Sequence, residues 1–195
     1  STRKALRKHY FCLMHLIDTH THLYSEKFEE DREERIEAAI EAGVQQFFMP
    51  NIDSSSITGM KGLEHKYPKN CFAMMGLHPC SVNENVEQEL EVVERELRAR
   101  NYIAVGEIGM DLYWDKSFKK QQQEAFGIQI EWAKIHGLPI VIHCRDAFDE
   151  VFEVLDQHKD ESLYGIFHCF TGTLAQANRA IELNFKLGIG GVITF

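Results

Sequence analysis

Two histidines one residue apart, His20 and His22, follow the apolar pair Leu16-Ile17. Residues two apart in a strand project to the same side, so both imidazoles can face one way. Paired imidazoles are half of a site for a divalent ion. The theme recurs along the chain. Glu107 lies in Val-Gly-Glu-Ile-Gly-Met-Asp, His143 closes Pro-Ile-Val-Ile-His, and His168 closes Gly-Ile-Phe-His. Each of these polar side chains ends a short apolar run. Four histidines and a glutamate converging from four strand ends would be costly to bury without an ion to satisfy them. A carboxylate has two oxygens and can bridge two cations, and glycines on both sides of Glu107 let backbone or metal approach closely. His9, His65, His136 and His158 read instead as hydrogen-bonded or surface residues.

Further side chains fall around this set. Arg145 stands two residues after His143, so both leave the strand on one side, and a guanidinium there can hold a phosphate oxygen; the alternative is a structural salt bridge. His78 can contact substrate or donate a proton to a leaving oxygen, or else cap a helix. Asp111 can orient a metal ligand, as carboxylates near metal sites do, or fix the loop after it. Tyr113 and Trp114 in that loop can stack a nucleobase or cover the structure. Cys144 and Cys169 each follow a proposed ligand, and alternation sends them to the other face, into the core.

The elements that must position these residues are legible as alternating strand and helix. Apolar runs at 15–19, 45–50, 72–77, 103–107, 140–143, 165–170 and 187–194 read as strands. Between them lie helical stripes: Ile36, Ala39 and Ile40; Val86, Leu90, Val93 and Leu97; Phe126, Ile130 and Ala133; Val151 and Leu155; and Leu174, Ala177 and Ile181. All of these stripes read as core. Gly43 ends the first helix, and Gly137 with Pro139 ends the third. Strands separated by helices imply parallel βαβ units. No Gly-x-Gly-x-x-Gly follows the first run, which disfavours a dinucleotide fold, while polar residues at strand ends favour a TIM-type (β/α)8 barrel. Seven runs in a fold that needs eight strands lead to the expectation of one domain over 15–195, incomplete at its C-terminus. Residues 1–14 are then an N-terminal extension or a remnant.

At 44% hydrophobic and 26% charged residues over 195, the composition is that of an ordinary globular domain. A net charge of −9 argues against broad electrostatic adhesion to nucleic acid, although bound cations can supply positive charge locally. No apolar run approaches the roughly 20 residues of a membrane span. The patch Tyr10–Met14, after Arg3, Lys4, Arg7 and Lys8, is short for a secretory signal. The five cysteines form no CxxC pair, which fits a reducing compartment. The expectation is a cytoplasmic protein, with no membrane partner, acting as a monomer or weak oligomer.

Taken in order, the motifs resemble a known family. Ile17-Asp18-Thr19-His20-Thr21-His22-Leu23 is similar to the opening motif of the TatD deoxyribonucleases. The later motifs are matched by Gly76-Leu77-His78-Pro79, by 106–111, by His143-Cys144-Arg145-Asp146-Ala147 and by His168-Cys169-Phe170-Thr171-Gly172; 188–195 is similar to the seventh strand. The resemblance implies a metal-dependent nuclease acting on DNA, single-stranded or at ends. It also implies one metal held by His20, His22 and Glu107 and a second by Glu107, His143 and His168. The family's aspartate at the end of an eighth strand has no counterpart here. Imidazole-rich ligation suits zinc or manganese, and the resemblance implies magnesium in turnover. Two other readings stay open: an amidohydrolase-type enzyme acting on an amide or aminoacyl ester, and a truncated, non-catalytic binding paralogue.

Overall fold

The computed structural model describes residues 15–195; the N-terminal extension and its Tyr10–Met14 patch lie outside the described residues. The chain forms two compact units, one running up to Pro50 and resuming over Ser56–Ala73, the other comprising Asn51–Ser55 and Met74–Phe195.

The first unit is built on a sheet ordered β1-β2-β3, from Leu16–Asp18, Val44–Pro50 and Cys71–Met74. Strands β1 and β2 pair in parallel. Helix α1 (Arg32–Glu41) turns Ile36 inward and ends before Gly43, whose φ of 106° is open to glycine. A helix that the apolar stripes above did not single out, α2 (Ile57–Lys66), buries Ile57, Met60 and Leu63. Its three-residue spacing is helical, but two glycines, a threonine and two lysines dilute the signal.

The second unit carries a parallel sheet ordered β4-β5-β6-β7: Val105–Asp111, Ile140–Arg145, Gly165–Phe167 and Phe185–Leu187. All of β4 is buried, the mark of a strand covered on both faces. Around it lie α3 (Val86–Ala99), α4 (Lys119–His136), α5 (Phe148–His158) and α6 (Leu174–Glu182). Helix α4 ends at Gly137 with φ 64°, as its glycine implied, and Thr173 with Gln176 forms a capping box at the start of α6. Phe126, Ile130, Phe152, Phe167, Ile108 and Met110 make the core.

Three expectations are corrected. Strand β7 is shorter and earlier than 187–194, and Gly191–Thr194 is a 3-10 turn; three glycines within 188–191 break the ladder. Glu107 stands inside β4, and Arg145 closes β5, because pairing between the two continues to Asp111 and Arg145. Leu174 and Ile181 are exposed, 78% and 57%, because α6 buries Ala180 instead.

Candidate metal centre

His20 and His22 lie just beyond β1, in the loop leading to α1. The strand alternation invoked for them therefore does not apply, yet their rings are brought together with centroids 5.2 Å apart. Two devices fix this loop. Arg32 on α1 donates to the carbonyls of Leu23, Tyr24 and Ser25. Buried Tyr24 donates its hydroxyl hydrogen to the Pro50 carbonyl at 2.5 Å and meets His22 Nδ1 at 2.9 Å. Because that hydrogen is committed to Pro50, the oxygen accepts from His22 Nδ1–H. His22 is thereby held as the tautomer whose Nε2 presents a lone pair, the form in which an imidazole binds a metal.

In the second unit one carboxylate oxygen organises the site. Glu107 Oε1 lies 2.9 Å from His143 Nδ1, 2.9 Å from His168 Nε2 and 3.6 Å from His78 Nε2, and Glu107 is 2% exposed. The glycines beside it serve backbone approach: a Cβ on Gly109 would fall 2.2 Å from the His143 carbonyl oxygen, and one on Gly106 would fall 2.7 Å from Val141 Cβ. Strand β5 thus runs close enough to β4 to bring His143 onto Glu107.

His143 is gripped from both ends, Nδ1 on Glu107 and Nε2 on Asp111 Oδ2 at 2.8 Å. Burial works against its charged form, but the bond to Glu107, and then that to Asp111, outweighs it, and its pKa is raised. Asp111 responds in the opposite sense. Burial would raise its pKa, yet the His143 bond and the backbone N–H of Tyr113 hold it below the ordinary aspartate value. Its Oδ1 accepts from the N–H groups of Tyr113 and Trp114. Orienting a histidine and fixing the following loop are therefore two jobs of one side chain.

His78 caps the 3-10 turn Pro79–Ser81, its Nδ1 accepting from the Cys80 N–H at 3.0 Å. With Nδ1 accepting, its proton sits on Nε2, which faces Glu107; His78 is a donor at this site. The sequence reading passed over Cys80. Cys80 is exposed, yet its thiol, partly desolvated and set beside the Asp111 carboxylate, is pushed up to about 12. Cys144 behaves alike, held at about 12 chiefly by burial.

Arg145 is exposed and lays its guanidinium over the Tyr113 ring at 3.8 Å, with Trp114 at 5.3 Å. Among the described residues no carboxylate lies within ion-pairing distance of it, so the salt bridge considered as its alternative is not formed. Tyr113 and Trp114 meet edge to face at 4.8 Å, 51% and 71% exposed. A cleft of about 520 Å³ opens beside Tyr113, lined by that residue, Arg145, Asp149, Glu150, Thr171 and Thr173 among others.

Besides Tyr24, two buried glutamines did not stand out in the sequence. Gln122 and Gln129 on α4 are 3% and 1% exposed and hydrogen-bonded to the backbones of Asp111 and Leu77. The available signal was a polar residue on an apolar helical face, since both lie on the stripe of Phe126 and Ala133.

Comparison with known proteins identifies a family. The family model of TatD related DNases matches residues 17–195. An uncharacterized metal-dependent hydrolase, YabD of Bacillus subtilis (strain 168), is 37% identical over 180 residues, 92% of this chain and 70% of its own. A 3'-5' ssDNA/RNA exonuclease TatD of Yersinia pseudotuberculosis serotype O:3 (strain YPIII) is 29% identical over 90% of this chain and 68% of its own. The crystal structure of YjjV, a TatD homologue of Escherichia coli K12, superposes with a TM-score of 0.85 at 33% identity, covering 93% of this chain and 70% of that one. The architecture is the α/β, TIM-type class expected from alternating strands and helices with polar residues at the strand ends. Among the described residues no helix is long and apolar enough to cross a membrane. Matched by the family model over 17–195 and at 37% identity by a metal-dependent hydrolase, the chain belongs to the TatD family of metal-dependent hydrolases.

Proposed function

We propose that the chain hydrolyses phosphodiester bonds in DNA, single-stranded or at strand ends, with two divalent cations. The proposed ligands are His20, His22 and Glu107 for one cation and Glu107, His143 and His168 for the other. The observation that carries this reading is Glu107 Oε1, a buried carboxylate oxygen with nitrogens of His143 and His168 each 2.9 Å away. Imidazole and carboxylate are the donors a divalent ion of the zinc, manganese or magnesium kind accepts. His22, protonated on Nδ1, adds an Nε2 lone pair. Magnesium is proposed for turnover.

Bound there, the cations supply a Lewis acid and a water acidified toward neutral pH. The chain's own residues do the rest. Glu107 balances charge and holds the imidazoles; Asp111 fixes the His143 ring. Arg145 offers its guanidinium to the non-bridging phosphate oxygens, flattened on Tyr113 and so restricted before substrate arrives. His78, neutral with its proton on Nε2, presents that N–H as a hydrogen-bond donor to the leaving oxygen. Tyr113 and Trp114 expose ring faces on which a base of a single strand can stack. The name of the Yersinia relative, an exonuclease on ssDNA and RNA, supports a single-stranded substrate.

The test compares wild type, Glu107→Ala and Arg145→Ala by elemental analysis and by rate on a short single-stranded oligonucleotide. Glu107→Ala is expected to lose at least one metal and all turnover. Arg145→Ala is expected to keep its metal and lose about 1.5–3 kcal/mol of transition-state stabilisation, the range for a charge-assisted hydrogen bond, on the order of a tenfold to hundredfold fall in kcat/KM. Normal kinetics in Arg145→Ala would remove the phosphate clamp, and two metals with full activity in Glu107→Ala would remove the bridge.

A further inference from the structure

Helix α4 carries two glutamines where its sequence otherwise turns apolar residues to the core. Gln122 and Gln129 are seven residues apart, which at 3.6 residues per turn places them on one face about two turns apart. Each amide grips a peptide backbone in both directions. Gln122 Oε1 accepts from the Asp111 N–H at 2.9 Å, and its Nε2 donates to the Asp111 carbonyl at 3.1 Å. Gln129 Oε1 accepts from the Leu77 N–H at 2.7 Å, and its Nε2 donates to the Leu77 carbonyl at 3.3 Å and to Ala125 at 3.2 Å. An amide edge used this way reproduces the donor and acceptor that a neighbouring strand would have presented.

The two gripped residues are not arbitrary points of the backbone. Asp111 is the carboxylate that holds His143 Nε2. Leu77 immediately precedes His78, whose Nε2 faces Glu107 at 3.6 Å. Both lie where the chain leaves the sheet for a loop: Asp111 is the last residue of β4, and Leu77 follows the bridge that pairs Met75 with Val105. One rigid helix thus reaches both loops.

We propose that Gln122 and Gln129 are positioning residues, a pair of backbone clamps on α4 that set Asp111 and His78 against the Glu107–His143 pair. The two clamps act on different functions. Gln122 works through Asp111 on the orientation of His143, so it governs metal affinity. Gln129 works through Leu77 on His78, which is not proposed as a ligand, so it governs turnover and leaves metal binding alone. The clamps rest on the metal-dependent reading of the site, and that of Gln129 also on the proposed phosphodiester chemistry.

The test uses Gln122→Met and Gln129→Met, which keep length and volume and remove the side-chain hydrogen bonds. Cobalt(II) alone is titrated into the metal-depleted protein, followed by its visible d–d absorption, and kcat and KM are measured on an oligonucleotide. Gln122→Met should bind cobalt about tenfold more weakly with an altered spectrum, the scale seen when partners of metal ligands are lost. Gln129→Met should keep wild-type cobalt affinity and spectrum and lose on the order of tenfold in kcat at unchanged KM, part of what a preorganised hydrogen-bond donor contributes. Variants that merely melt earlier, with wild-type cobalt spectra and kcat, would reduce the glutamines to plugs for buried backbone and overturn the proposal. If the Met variants do not fold, Gln122→Asn and Gln129→Asn, one methylene too short to span the gap, are read by the same criteria. A wild type that cleaves no nucleic acid would sink the phosphodiester reading, while the cobalt titration of Gln122 variants would still decide its clamp.

Discussion

Tyr24 shows how much of this site depends on one proton's whereabouts. Its hydroxyl passes one hydrogen to Pro50 and takes another from His22. Tyr24→Phe should therefore leave the fold intact and release His22 to the other tautomer. Metal affinity is expected to fall about 10-fold or more, the cost of losing an orienting partner, measured by competition with a chromophoric chelator; unchanged affinity would show that His22 needs no orienter. At this scale the sequence was most informative about residues whose chemistry is unusual in a core. His143, His168 and Glu107 stood out as polar groups closing or interrupting apolar runs, and the structure does bring them onto one oxygen. Tyr24, Gln122 and Gln129 did not stand out. Their value lies in a hydrogen bond to backbone distant in sequence, such as 52 residues between Gln129 and Leu77, and no local pattern encodes that.

Between elements, strand spacing is set by what side chains are absent. Gly165 on β6 lies so close to β5 that a Cβ there would come 2.0 Å from the Ile140 carbonyl oxygen. Gly165→Ala should force the two strands apart at a cost at the upper end of about 1–3 kcal/mol, read as a drop in denaturation midpoint at unchanged m-value. A midpoint equal to wild type would mean the pair relaxes without strain. The alternation of strand and helix was legible because apolar runs and stripes differ in period. Boundaries were less so. Strand β4 extends through Asp111 because β5 pairs with it that far, and pairing depends on a partner strand more than thirty residues away. Helix α2 was hidden by its glycines, and α6 took the register of Ala180 over that of Leu174 and Ile181, since the choice belongs to the surface it meets.

For the molecule as a whole, metal binding and stability should be linked through His143. With no ion bound, its raised pKa favours the imidazolium, so the stability it contributes is fully present below the ordinary histidine value of about 6.5 and is lost as pH rises through the raised one. A metal requires the ring neutral, so binding must release a proton and should strengthen with pH. At free metal 100-fold above Kd the stabilisation is about 2.7 kcal/mol. The gain in Tm on adding metal to chelator-treated protein is thus expected to grow from pH 5.5 to pH 8. A gain that shrinks over that range would contradict a ligand role for His143. With a net charge of −9, the DNA binding proposed above would have to be local, centred on the proposed cations and Arg145, and not a property of the whole surface.

The stack of Arg145 on Tyr113 beside Trp114 has an optical consequence. Trp114 is 71% exposed and is one of two tryptophans in the chain, with a guanidinium 5.3 Å from its ring. An indole so placed emits as a solvated fluorophore, and a nucleobase laid against it would quench that emission by contact. The base stacking proposed for Trp114 would thereby be visible in the protein's own light, without a label and before any bond is cut.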